Sequence, residues 1–441
     1  MASPITRGRI LQLAWPIVLA NSAVPLLGLV DTAVIGNTGR VVDLGAISLG
    51  ALVFNFVFWG FGFLRMGTTG FTAQASGRED SAEVRAVFAR ALLLALGLGA
   101  GLILLQVPLR WIALALLGAS PEVEALTRDY FHIRIWAAPA SLGVFAALGT
   151  LIGLGRTRQV LVVQVVLNGL NAGLDVLFAG VMGWGVEGIA LGTAMAEWVT
   201  FGLAFVLVRR VLLEERTDRE PWWPRDRILD REAARAMLSA NGDILIRTLF
   251  LLLGFAWFTN QGALFGDDIL AANHVLLQLV SLSAYLLDGY AHATEILVGR
   301  AVGAGAREIF DRAVRLSTQM AAVTALALAG GALLGGPGAV HLLTDLPAVR
   351  EIAEDYLPWT ALYILVSFGA FQLDGVFIGA TGTRAMRNAS VLSFAGFLAA
   401  SLVLVRLGQN TGLWISFVIF VILRAAALWS RYPALRAERL P

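Results

Sequence analysis

The chain has no cysteine and no lysine in its 441 residues, and all 33 basic residues are arginine. The first absence excludes disulfides, thiolate nucleophiles and cysteine-bound metal. The second excludes Walker-type phosphate binding and Schiff-base chemistry, both of which need lysine. Charge is scarce as well. Charged residues make up 15% of the chain, against roughly a quarter in a soluble domain, and the net charge of +2 is too small to suggest nucleic acid. What is present is apolar: 58% hydrophobic residues and a mean hydropathy of +0.75. Near the N-terminus, Arg7 and Arg9 precede an uncharged run from Ile10 to Val30. That run is too long for a cleavable signal and long enough for the ~20 residues that cross a bilayer.

Twelve apolar segments can be counted, from Ile10–Ile35 through Thr411–Trp429. The segments that connect them alternate in charge. One side carries Arg7 and Arg9, Arg78 and Arg85, Arg156 and Arg158, the stretch from Arg209 to Arg235, Arg300 and Arg307, Arg384 and Arg387, and Arg431 and Arg436. The other side carries Asp43, Glu122, Glu187, Asp267, Asp268 and Asp345. The positive-inside rule therefore places both termini and the long central loop in the cytoplasm. That loop divides the chain into residues 1–210, a cytoplasmic linker 211–235, and residues 236–441. A solvated linker is the simplest reading of it.

The halves are related. Thr72–Ala91 aligns without gaps to Thr294–Ala313, Pro121–Phe131 to Pro347–Leu357, and Leu151–Arg158 to Phe377–Arg384. Both halves start on the cytoplasmic side after an even number of spans, so the repeats are parallel, related by an axis along the membrane normal. The expected fold is an all-α integral membrane protein with twelve transmembrane helices in two six-helix lobes.

Polar residues inside the apolar segments mark the candidate site, because an intramembrane ionisable group is costly unless it faces a partner or a watery cavity. Asp31 interrupts "VPLLGLVDTAVIG". In "NGLNAGLD", Asn168, Asn171 and Asp175 share one helical face. In "GIALGTAMAEW", Thr193 and Glu197 lie one turn apart beside a small-residue stripe of Gly188, Gly192 and Ala196. Asp31, Asp175 and Thr193 fall at similar depths, roughly 6–9 Å below the outer ends of their spans at 1.5 Å per residue. Their oxygens suit a shared proton or a hard cation such as sodium. The competing reading makes the Asn and Thr interhelical glue and pairs the acids with an arginine such as Arg134. In the second half, Asp288, His292 and Glu295 share a face near the cytoplasmic end, and Asp374 lies at similar depth. The alignment sets Asp288 against Met66 and Asp374 against Leu148, so the repeat did not copy its acids. His292 reads either as a proton relay or as a satisfied interfacial histidine. Arg247 and His274 are further intramembrane groups with no assigned partner. Pro16 and Pro25 are candidate hinges in the first helix.

The stretches "LANSAVPLLGLVDTAVIG", "FNFVFWGFGFLRMGTTGFTAQASG", "NGDILIRTLFL" and "LLDGYAHATE" together resemble the MATE multidrug and toxic-compound exporters, in their DinF-like branch. The resemblance runs from Ile10 to Ala427. It implies efflux driven by a proton or sodium gradient, with Asp31 as the main coupling carboxylate. It also implies that Asn171, Asp175 and Thr193 complete the site and that the first helix bends near Pro16.

The chain therefore reads as a cation-coupled antiporter of a bacterial inner membrane, exporting amphiphilic or cationic small molecules by alternating access. Two carboxylates in a poorly solvated pocket resist double ionisation and so can load a proton. The proton is favoured over sodium because the outer mouth exposes the site to the acidic side and the branch it resembles includes proton-coupled members. The expected protein is a monomer in the lipid bilayer, with no cofactor and no nucleic-acid partner. A flippase for lipid-linked precursors is the alternative. No HExxH, GxSxG or paired Asp-rich motif lies inside a span, so an intramembrane enzyme is disfavoured. Aromatics such as Phe54, Phe58, Trp59 and Phe61 would suit an amphiphile's apolar body.

Overall fold

Apolar segments in lipid must satisfy their backbone hydrogen bonds internally, and helices do so residue by residue. The computed structural model describes residues 5–23, 34, 40–118 and 120–440. Asp31 and Pro25 lie outside them. The helices are α1 (Arg7–Ser22), α2 (Val41–Gly60), α3 (Phe63–Gly77), α4 (Ser81–Leu104), α5 (Gln106–Leu117), α6 (Pro121–Arg134), α7 (Ala138–Gly153), α8 (Thr157–Asp175), α9 (Gly185–Glu214), α10 (Arg225–Ile228), α11 (Arg231–Ala263), α12 (Asp267–Gly303), α13 (Arg307–Leu343), α14 (Pro347–Gly379) and α15 (Thr383–Arg439).

Helix starts follow local chemistry. Ser120 caps α6, its Oγ accepting from Val123 N, with Pro121 in the first turn where no amide hydrogen is missed. Asp80 does the same for α4 through Glu83 N. Ten stretches are long and apolar enough to cross a membrane. One of them, α15, is two spans joined at Gly408 and Gln409, where the backbone leaves helical geometry. The first apolar segment begins in α1, which passes unbroken through Pro16. These account for the twelve expected segments.

The chain divides into two compact units, Leu19–Met237 and Met1–Val18 with Leu238–Pro441. The first eighteen residues thus cluster with the C-terminal half, whereas the sequence reading kept residues 1–210 together.

The duplication is visible in backbone contacts. In the N-terminal unit, Gly149 of α7 lies against Arg65 O of α3: a β-carbon there would come within 2.5 Å of it. One turn on, Gly153 lies against Thr69 O at 2.8 Å. In the C-terminal unit, β-carbons on Gly375 and Gly379 of α14 would crowd Ala291 O and Glu295 O of α12, the second within 2.6 Å. Every pair is related by the same shift of 226 positions. The shift also relates Thr68, bonded to Leu64 O, to Thr294, bonded to Tyr290 O. It relates the positive-φ helix ends as well, Glu79 with Gly305 and Gly155 with Thr381.

The gapless match of Thr72–Ala91 to Thr294–Ala313 is therefore displaced by four residues. Asp288 corresponds to Gly62, and it is His292 that corresponds to Met66. A four-residue slip is about one helical turn, so it leaves each residue near the same face, and recurring Gly, Ala and Arg make the wrong register look plausible. The pairing of Asp374 with Leu148 stands.

The linker is docked rather than merely solvated. Asp218 takes two bonds from the Arg85 guanidinium, at 2.9 and 2.7 Å, and one from Ser81 Oγ. Arg227 pairs with both Asp80 and Glu220, and Arg209 lies 5.9 Å from the Trp222 ring. The Arg85 bonds hold Asp218 well below the usual carboxylate range. That contribution is present above its ordinary unfolded value and is lost only in acid.

Single cysteines placed at Arg158 and Arg384, which the 226-residue shift relates, are expected to react only with cytoplasmic reagent. One placed at Asp268 should react only from outside. Labelling of the native chain is blank, since it has no cysteine, and external reaction at either arginine position would overturn the parallel arrangement.

Candidate functional site

Helices α8 and α9 of the N-terminal unit bring three of the sequence candidates together. Asn171 and Asp175 are fully buried and Thr193 nearly so. Asn171 Nδ2 donates to Thr193 Oγ1 at 2.8 Å, and Thr193 Oγ1 donates to Ile189 O of its own helix. This orients the amide and the hydroxyl and ties the two helices at one level. Asp175 closes the group from one turn further along α8. It reaches α9 at Gly192, where a β-carbon would sit 2.6 Å from Asp175 Oδ1. Gly188, one turn earlier, lies against the Phe178–Ala179 backbone at 3.0 Å. The small-residue stripe read from the sequence is thus what lets α9 approach the acid. Directly after Asp175 the chain widens into a π-helical turn, Val176–Val181, a feature that often marks functional sites because it redirects a side chain within a helix. Asn168, a turn earlier, is half-buried, and its Nδ2 has no partner among the described residues.

Gly192→Ala is expected to push α9 away from Asp175, at a packing cost of about 1–3 kcal/mol. Transport in membranes containing normal amounts of the protein should fall well below wild type. The same change at Gly202, whose missing β-carbon has open space, should be silent.

Glu197 belongs to a different arrangement. Its carboxylate takes a 3.0 Å bond from Arg134 and another from Ser141 Oγ. Arg134 in turn lies 5.1 Å from the Phe54 ring. Phe54 and Phe58 are buried within the unit, whereas Trp59 is exposed. Phe54 therefore packs inside the helix bundle under a guanidinium.

In the C-terminal unit, His292 Nε2 faces Asp288 Oδ2 at 3.1 Å, and its Nδ1 faces Glu295 Oε2 at 3.0 Å. The ring and Glu295 are almost fully buried. The i, i+4, i+7 face is thus a carboxylate–imidazole–carboxylate chain along α12. Asp374 is bonded to Arg247 and lies 3.4 Å from Arg424. The sequence flagged Arg247 without a partner and did not single out Arg424, which looks like one more arginine near a span's cytoplasmic end. His274 is exposed and contacts Gln278 on its own helix.

An apolar groove of about 540 Å³ lies on the N-terminal unit, lined by Trp136, Trp198, Leu191 and Met195. Trp136, Trp198 and Met195 are exposed, as expected for a surface that meets lipid chains.

A model of the MatE family matches residues 16–177 and again 244–404, once in each half. The chain is 38% identical over 428 residues to the DNA damage-inducible protein F of Escherichia coli K12, covering 96% of this chain and 91% of that one. It is 30% identical over 457 residues to a probable multidrug resistance protein NorM of Rhizobium meliloti, covering 97% and 93%. Among solved structures, an outward-facing multidrug resistance MATE family transporter of the MOP superfamily superimposes with a TM-score of 0.86 at 21% identity, over 97% of this chain and 96% of that one. A MATE transporter in the bent conformation also gives 0.86, over 98% and 97%.

Proposed function

This chain belongs to the MATE family of multi-pass membrane transporters, and from that premise we propose that it is a proton-coupled antiporter that exports amphiphilic small molecules by alternating access. The observation that supports this most is the Asn171–Asp175–Thr193 group. It is a buried carboxylate, an amide and a hydroxyl held on two facing helices by a glycine contact, in a chain whose relatives move cargo. Asp31, from the first apolar segment, is the second carboxylate of the site. One proton shared by the two acids halves the charge of the pair while the helices rearrange. Its release to the cytoplasm resets them. The Asn171–Thr193 bond ties α8 and α9 together beside Asp175.

The other buried acids are suited to different work. Glu197 and Asp374 are each bonded to buried guanidinium groups of other helices, which suits them to tying helices together. The cargo-moving cycle needs no covalent step, so the protein is read as a transporter without enzymatic activity or cofactor. It works as a monomer in a bacterial inner membrane with both termini in the cytoplasm.

Reconstituted protein should export a fluorescent amphiphile when an inward proton gradient is applied in sodium-free buffer. Export that requires a sodium gradient and ignores pH would replace the proton by sodium at the same residues, with Asn171 and Thr193 oxygens as further ligands.

A further inference from the structure

We infer that the C-terminal unit binds an anionic oxygen group, a carboxylate, sulfonate or phosphate, carried on an apolar body, through Arg247 of α11 and Arg424 of α15. The two guanidinium groups are each only 8% exposed, and both converge on the carboxylate of Asp374. Other buried acids among the described residues meet a single guanidinium: Glu197 meets Arg134, and Asp243 meets Arg387. Here two positive charges share one negative, and among the described residues one positive charge is left over inside membrane-spanning helices.

The hydrogen-bond inventory points the same way. A guanidinium presents five N–H donors. Nε of Arg247 and Nε of Arg424 are both buried with no acceptor among the described residues; Nε of Arg85 and of Arg90 are too, so it is the shared carboxylate that sets this pair apart. Arg424 makes its 3.4 Å contact with Asp374, lies 6.0 Å from the Phe371 ring and has Tyr363 nearby. The acids of α12 do not supply the missing charge, since Asp288 and Glu295 are directed at the two nitrogens of His292.

A buried, incompletely paired charge is costly, and in a membrane protein such a charge marks a binding or transport pathway. A second anionic group would complete the ion pairing, and two of its oxygens match the fork of a guanidinium. Phe371 supplies apolar surface beside the charges for the rest of the molecule. That the bound molecule is exported cargo rests on the transporter reading above; the binding itself does not.

The test is thermal unfolding of the purified full chain in neutral micelles, with no ion gradient. The probes are 2-naphthalenesulfonate, the matched naphthyl trimethylammonium, inorganic sulfate and phosphatidylglycerol. The sulfonate should raise the unfolding temperature, sulfate should do so more weakly, and the ammonium compound should not. Arg424→Gln should weaken sulfonate affinity by about tenfold or more, the worth of a hydrogen-bonded charge contact. Asp374→Asn should tighten it several-fold, because it uncovers both guanidinium groups. That gain keeps the test decisive if Arg424→Gln folds poorly, since a purely structural ion pair gives no gain.

Equal binding of the ammonium probe, or loss of sulfonate binding in Asp374→Asn, would overturn the site. Stabilisation by phosphatidylglycerol alone would place a lipid headgroup there and overturn the cargo assignment. A protein that binds the sulfonate yet exports nothing keeps the site and sinks the transporter reading. One that exports amphiphiles but ignores the sulfonate does the reverse.

Discussion

Asp175→Asn and Asp31→Asn are each expected to reduce gradient-driven export to the level of empty liposomes, while the protein still reaches the membrane in normal amount. Asparagine has the shape of aspartate and keeps its hydrogen-bonding ability. It cannot take up and release a proton at neutral pH, and it carries no charge for sodium to neutralise. For Asp175 the argument extends to size. The missing side chain of Gly192 already gives Asp175 Oδ1 its place, with a β-carbon there only 2.6 Å away. Asp175→Glu keeps the charge but adds a methylene to a full site, so it should transport poorly too. Asn171→Ala removes the bond to Thr193 and should cut export more than Asn168→Ala, whose Nδ2 holds nothing among the described residues. Normal export by Asp175→Asn would make the group a structural tie between α8 and α9.

Glu197→Ala is expected to do the opposite kind of damage. It leaves the Arg134 guanidinium buried, 9% exposed, without its carboxylate. Breaking a buried pair from one side costs about 3–5 kcal/mol. The midpoint of thermal unfolding in detergent should fall sharply, where Asp175→Asn barely moves it. Glu197→Gln should lie between the two, since the amide still meets Ser141 but no longer balances the charge. Replacing both partners, Arg134→Met with Glu197→Met, should recover most of the lost stability, because apolar side chains of similar size need no charge partner. If Glu197→Ala unfolds normally but loses gradient response, Glu197 belongs with the coupling acids and the division drawn here between the two carboxylates fails.

The twelve spans, their alternating charge and the parallel duplication were legible in the sequence because each rests on local properties. A span is a length of apolar residues, and the expected sidedness rests on arginines near its ends. The Asn171–Asp175–Thr193 group was legible for a related reason. Helical periodicity puts Asn171 and Asp175 on one face, and depth below the outer surface follows from counting residues. The Gly188–Gly192 stripe on the next helix announced close packing, and it is at Gly192 that Asp175 is admitted.

Partnership between distant residues was decided only by tertiary structure. Arg134 and Glu197 are 63 positions apart, and Arg247 and Asp374 are 127 apart. No periodicity links such pairs, because which helices pack together, and at what rotation, is set by side-chain fit along the whole contact. The docking of the central loop through Arg85 and Asp218, 133 positions apart, is of the same kind. Register between the halves needed the fold as well. A slip of one helical turn preserves face and composition alike. The approach of Gly149 and Gly153 to one backbone, matched by Gly375 and Gly379 on the other and by the positive-φ helix ends, separates the true shift from its neighbour. Local sequence thus determined which segments cross the membrane and which faces are polar. Packing determined which acids are balanced by arginine, which one lies against a glycine, and where two arginines share one carboxylate.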